Sequence, residues 1–185
     1  MIALRQLPNL LSALRILLVI PIVALLMNHA FAWALLLFAV AGVSDALDGW
    51  LAKRYGWTSR LGSVLDPVAD KLLLVSSYLV LGALGLVPWW LVVAVLGRDL
   101  VIVAGALAYH YLVGPYEMEP SVLSKLNTAM QIALVLLVVL NQVLDWLSIQ
   151  TVLLAFWAVL ATTIASGLNY VITWSWRAWR TKRSG

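Results

Sequence analysis

The chain has 185 residues, of which 64% are hydrophobic and 11% charged, with a formal charge of +4 and a mean hydropathy of +0.99. Soluble domains are roughly half apolar, so this composition excludes an ordinary water-soluble protein and marks an integral membrane protein. The absence of cysteine excludes disulfides and Cys-ligated zinc or iron–sulfur centres.

In chain order, six apolar runs approach the roughly 20 residues that a helix needs to cross about 30 Å of hydrocarbon: residues 12–27, 30–52, 67–86, 89–112, 124–141 and 148–176. The expectation is an all-α, polytopic bundle of six transmembrane helices forming a single membrane domain over 1–185. The first run follows "MIALRQLPNLLSALR", which lacks a small-residue cleavage signature, so it is expected to be retained. No Arg- and Ser-rich presequence precedes it, which points to a bacterial plasma membrane. Arg5 and Arg15, then Lys53, Arg54 and Arg60, then Lys125, and finally Arg177, Arg180, Lys182 and Arg183 all fall on one side of such a bundle. The connections "NHA", "GLVP" and "NQVLDW" on the other side carry no Lys or Arg, so both termini are expected in the cytoplasm. A basic rim beside anionic headgroups accounts for the positive charge without nucleic acid. Trp89, Trp90, Trp146, Trp174, Trp176 and Trp179 lie near run ends, where an aromatic belt belongs.

Half of the eight acidic residues fall in "SDALDGWLAKRYGWTSRLGSVLDPVADK", residues 44–71. At 100° per residue, Asp45, Asp48, Gly49 and Ala52 lie within an arc of about 100°, so two carboxylates and two small residues share one helix face. Pro67 suits a first helical turn with Asp66 as its cap; Gly62, Asp66 and Asp70 align in the same way if the preceding turn is already helical. One ionised side chain at the bilayer centre costs roughly 3 kcal/mol on insertion scales, so four together demand neutralisation. Lys53 flanks the Asp45 face, but Lys71 points about 100° away from Asp70, and the protein's own cations are not expected to cancel the cluster. Oxygen donors without His or Cys suit Mg²⁺, Mn²⁺ or Ca²⁺, and paired ions of this kind clamp phosphate oxygens during a displacement. A bland reading remains beside this one, a solvated loop whose acids pair with Lys53, Arg54 and Arg60.

The pattern DxxDGxxA(R/K)x₈GxxxDxxxD resembles the signature of the CDP-alcohol phosphotransferase family. Here it reads Asp45, Asp48, Gly49, Ala52, Lys53, Gly62, Asp66, Asp70, departing only at Lys53, where arginine is commoner. "LPNLLSALRI", "RDL" and "PSVLSKLNTAMQ" extend the resemblance over most of the chain, towards the branch that makes anionic phospholipids. What the resemblance implies is transfer of a phosphatidyl group from CDP-diacylglycerol to an alcohol, with release of CMP. It also implies two Mg²⁺ or Mn²⁺ ions held by Asp45, Asp48, Asp66 and Asp70. Asp70 is then the base for the attacking hydroxyl, Gly49, Ala52, Lys53 and Gly62 touch the CDP moiety, and the protein is a homodimer.

The acceptor is read from further along. "SKLNTAMQ" is similar to the eukaryotic type of cardiolipin synthase, whose acceptor is phosphatidylglycerol. Phosphatidylglycerophosphate synthases usually carry two lysines here, suited to glycerol 3-phosphate, and Asn127 stands where the second would be. Lys125 is placed to meet the acceptor phosphate. Arg98, in mid-run, either helps it from a wet cavity or pairs with Asp99 or another carboxylate. Asn9 and Arg15 are candidates to touch the substrate headgroup, although Arg15 could equally snorkel to the surface. His29 and His110 have no partner at metal-ligand spacing and suit interfacial or packing roles. A different class, a small cation transporter, would also place acids in the membrane, but the opposite half of the bilayer offers no matching acidic positions to continue a path, and the four acids sit at one membrane face.

Overall fold

The computed structural model describes the backbone of residues 7–55, 62–112 and 121–183, and within these the side chains of all but 7–9, 48, 52–53, 62–64, 106–112 and 174–183. Six helices follow one another: α1 (Leu7–Met27), α2 (Phe31–Tyr55), α3 (Gly62–Ala83), α4 (Trp89–Leu112), α5 (Val122–Leu144) and α6 (Ile149–Arg183). Four of them, α1, α2, α5 and α6, are long and apolar enough among the described residues to cross a membrane. α3 carries Asp66, Asp70 and Lys71 near its start, and α4 carries Arg98 and Asp99 near its middle.

Large apolar side chains cover the outside of the helices, and polar ones share the interior with an apolar core. Leu17, Ile20, Trp33, Val93, Leu154 and Trp157 are exposed, while Ser12, Arg15, Ser77, Arg98, Asp99, Asn127 and Gln131 are buried. Apolar side chains that would be costly in water are at no disadvantage against lipid, whereas polar groups there must find partners inside. Serines in the helices do so locally: Ser44 donates to the Val40 carbonyl at 2.8 Å and Ser77 to that of Leu73 at 2.6 Å.

The chain divides into two units. One comprises Met1–Leu86 with Val135–Trp146, the other Val87–Leu134 with Leu147–Gly185, so that α5 contributes to both. In the first, α1 packs against α2 and α3. Its core joins Ile22 and Leu26 of α1 to Ala34 and Ala41 of α2 and to Ala69, Tyr78 and Leu81 of α3. Ala41 and Ala69 admit close backbone approach near Asp45 and Asp70, and Ala34 does so at the opposite end of α2. An apolar groove of 540 Å³ also belongs to this unit, lined by Leu35, Phe38, Gly42, Val43 and Ala46 of α2 and by Leu136, Leu137 and Leu140 of α5. In the second, α4 packs on α6, with Leu91, Val92, Val95, Phe156 and Val159 buried and Trp90 stacked on Trp157 at 5.2 Å.

Two helix ends share one device. At the end of α1, Ala30 N–H bonds the Leu25 carbonyl at 2.9 Å and His29 N–H that of Leu26 at 3.0 Å, with His29 at φ 57°. After α3, Leu86 N–H reaches Leu81 and Gly85 N–H reaches Gly82, with Gly85 at φ 73°. This paired closure satisfies carbonyls that lipid could not. It also stops α3 at Ala83, short of the apolar run's end at 86. At its other end α3 begins at Gly62, so Pro67 lies inside the helix and Asp66 is not its cap. The turn before Asp66 is therefore helical, and residues 62, 66 and 70 share a face.

Only the left-handed backbone makes Gly85 necessary, because nothing lies within 4 Å of a Cβ built there. Gly85→Ala should cost about 1 kcal/mol. Gly42→Ala, equally open but within α2, should be neutral or slightly stabilising. Thermal unfolding in detergent micelles would show the two alanines moving the midpoint in opposite directions or one not at all.

Candidate active site

The sequence-expected carboxylates meet at a residue of α1. Arg15 is buried at 1% exposure, and its Nη1 lies 2.6 Å from Asp45 Oδ1 of α2 while also donating to Asp70 Oδ1 of α3. Its Nη2 is 3.5 Å from Asp66 Oδ1, which accepts a second hydrogen bond from Ser12 Oγ. Ser12 and Arg15 are three residues apart on α1 and so share its inward face. The carboxylates themselves stay accessible, with Asp45 52%, Asp66 39% and Asp70 53% exposed. A single buried cation thus gathers three solvent-reaching acids from two helices.

The acids are not cancelled, as expected, but neither are they without a cation. The protein does supply a cation to its acidic cluster, from a helix outside the signature, although one guanidinium against three carboxylates leaves the described group negative. Arg15 neither snorkels nor stands free for a headgroup. The reason is energetic: a buried guanidinium needs charge-assisted partners, and its fork can serve several oxygens at once.

Gly49 lies one turn beyond Asp45 on α2, exposed, and no atom is within 4 Å of a Cβ placed there, so a ligand can approach its backbone. Asn9, Asp48, Ala52, Lys53 and Gly62 are in helices, but outside the residues whose side chains are described. Among the described residues no three acids are spaced as a ready-formed metal cage. The donor chemistry nevertheless fits hard divalent ions: all the ligating atoms are carboxylate oxygens, they converge, and they carry more negative charge than Arg15 offsets.

The acceptor candidates belong to the second unit. Arg98 Nη1 donates to Asp99 Oδ1 at 2.8 Å, and its Nη2 donates to Ser124 Oγ at 2.5 Å and Ser166 Oγ at 2.6 Å. The guanidinium also stands 5.9 Å from the Tyr170 ring centroid. Of the two roles open to Arg98, the ion pair with its neighbour is the one formed. Its Nε is buried without a hydrogen-bond partner. Lys125 is exposed on the first turn of α5, which Ser121 caps by accepting the Ser124 N–H at 3.2 Å. Asn127 is fully buried: its Oδ1 accepts from Thr162 at 2.9 Å and Thr163 at 3.0 Å, while its Nδ2 has no partner. His29 lies in the α1–α2 turn, edge-on to Phe31, away from any metal-ligand set.

Ser12 and the pairing role of Arg15 were not read from the sequence. The available signal was their three-residue spacing inside an otherwise apolar run, with Arg15 the one cation there.

Comparison with known proteins identifies the class. A family profile for CDP-alcohol phosphatidyltransferases matches residues 5–165, and the chain belongs to that family. It is 35% identical over 144 residues to the cardiolipin synthase (CMP-forming) of Homo sapiens, covering 69% of this chain and 48% of the human one. A Schizosaccharomyces pombe cardiolipin synthase (CMP-forming) / mitochondrial hydrolase fusion protein is 33% identical over 183 residues, covering 90% of this chain and 31% of that one. A Mycobacterium tuberculosis protein named "Probable phosphatidylglycerophosphate synthase" is 43% identical over 77 residues, 42% of this chain and 36% of that one. The chain spans less than half the length of each of these three relatives.

The burial of Asn127 changes what a charge at that position would do. Asn127→Lys would force an ammonium between two threonine hydroxyls, and burying a poorly paired charge costs several kcal/mol. Loss of folded protein in size-exclusion chromatography and a lowered unfolding midpoint are expected, rather than a changed acceptor preference.

Proposed function

We propose that the protein transfers the phosphatidyl group of CDP-diacylglycerol to phosphatidylglycerol, forming cardiolipin and releasing CMP. The observation that carries this reading is the convergence of Asp45, Asp66 and Asp70 from two helices, with accessible oxygens and negative charge in excess of Arg15. Membership of the family and the names of the human and fission-yeast relatives support the reaction class and the acceptor.

In this reading Asp45, Asp48, Asp66 and Asp70 hold two Mg²⁺ or Mn²⁺ ions, which when bound offset charge on the pyrophosphate. Asp70 takes the proton of the acceptor hydroxyl as its oxygen attacks the lipid-side phosphorus; the bond to the CMP oxygen breaks and CMP leaves with its electron pair. Gly49, Ala52, Lys53 and Gly62 contact the CDP moiety, and Asn9 lies towards the headgroup. The apolar groove along α2 ends at Ala46, next to Asp45, and suits an acyl chain of a lipid whose headgroup is at the acids. Lys125, exposed on the first turn of α5, receives the acceptor's phosphodiester, while Arg98 is held in the interior by Asp99, Ser124 and Ser166. The chain works as one catalytic domain of six spans in a homodimer, with termini and site on the cytoplasmic side of a bacterial plasma membrane, and needs no nucleic acid.

A second reading, glycerol 3-phosphate as acceptor, is favoured by the mycobacterial relative. Against it, the place of a second lysine is taken by Asn127, held in the interior by Thr162 and Thr163 and offering no charge. A cation pathway finds no support in the family.

Purified protein given CDP-diacylglycerol and Mg²⁺ or Mn²⁺ should make cardiolipin from phosphatidylglycerol and little product from glycerol 3-phosphate, as judged by lipid mass. Phosphatidylglycerophosphate without cardiolipin would establish the second reading. EDTA should stop turnover, as should Asp66→Asn. Asp70→Asn should lower kcat by about 10²- to 10⁴-fold while CDP-diacylglycerol binding is better retained. Turnover within a few-fold of the parent would move the base elsewhere.

A further inference from the structure

We infer that Arg15 is a positioning residue, a built-in counter-ion that holds the acids of α2 and α3 at one point and so keeps the site assembled when no other cation is bound. One nitrogen, Nη1, serves both Asp45 and Asp70, which are 25 residues apart in the chain and on different helices. Nη2 reaches Asp66, and Ser12, one turn earlier on α1, fixes the same Asp66 oxygen. Without the guanidinium those oxygens would face each other as like charges with no cation between them. α1 would then lose its polar anchors to both of the helices on which it packs. Arg15 is itself almost wholly buried, a position an arginine takes only when paired. A lysine could not replace it in full, since a compact ammonium lacks the fork that reaches several carboxylates.

The counter-ion role stands on the geometry alone; only its complement, that a divalent ion takes over part of the neutralisation, rests on the proposed function. The bland alternative is that Arg15 merely fills space between three helices, and charge suppression separates the two. The unfolding midpoints of wild type, R15K, R15Q and R15Q/D70N would be measured in detergent with EDTA and with excess Mn²⁺. In EDTA, R15Q should lose roughly 10 °C, the size expected when one partner of a buried ion pair is removed, and R15K should lose less. Removing one opposing charge in R15Q/D70N should restore most of the loss, and Mn²⁺ should raise the R15Q midpoint by more than that of wild type. An R15Q midpoint equal to wild type in EDTA would overturn the inference, as would a loss that D70N does not relieve. Relief by D70N with no response to Mn²⁺ in any variant would sustain the counter-ion and remove the divalent-ion reading instead. Should R15Q yield no folded protein, R15K and R15K/D70N carry the same comparison.

Discussion

A buried guanidinium among carboxylates is the interaction on which the first unit depends. Burying an arginine is costly unless acids meet it, and gathering acids is costly unless a cation meets them. Arg15, Asp45, Asp66 and Asp70 meet both requirements together, and in doing so they tie α1 to α2 and α3. The small residues Ala41 and Ala69, close to Asp45 and Asp70, let the helices come close enough for those side chains to touch. Packing and electrostatics here are one constraint, since neither arrangement would persist without the other.

The second unit meets the same constraint differently. Arg98 has Asp99 beside it, and serine hydroxyls from α5 and α6 take two more of its hydrogen bonds. Asn127, Thr162 and Thr163 form a further hydroxyl–amide knot between α5 and α6. Acid and base are balanced there, and Asp99 is largely hidden. In the first unit acids outnumber the base and remain half-open to solvent. That imbalance would be a liability in a purely structural cluster, and it is what a site for a cationic partner requires.

The helices and the aligned acids were legible because both obey short-range rules. Apolar runs of sufficient length have few alternatives in lipid, and the spacing of Asp45, Gly49, Asp66 and Asp70 fixes their faces once the segments are helical. What was not legible depended on contacts between distant segments. Nothing near Arg15 in the chain indicates that its partners lie 30 to 55 residues further on. Asn127 reads as a substitution at a ligand position, and only the threonines of α6 reveal it as an interior hydrogen-bond acceptor. The Asp66 cap failed for a local reason. Proline tolerates a first turn, but α3 had already begun at Gly62, so Pro67 falls just inside the helix, where its missing N–H leaves one ladder bond unmade.

The length of α6 has a mechanical consequence. Its 35 residues would extend about 52 Å, whereas its apolar stretch, Ile149–Thr173, already exceeds the roughly 30 Å of hydrocarbon if upright. In a bilayer the apolar part would have to tilt or thicken the lipid around it, and the ten residues that follow it add about 15 Å of helix. A helix of this kind is a ruler. Trp174, Trp176 and Trp179 fall within its last turns, so an aromatic belt there would mark the point along its length at which the headgroup layer begins.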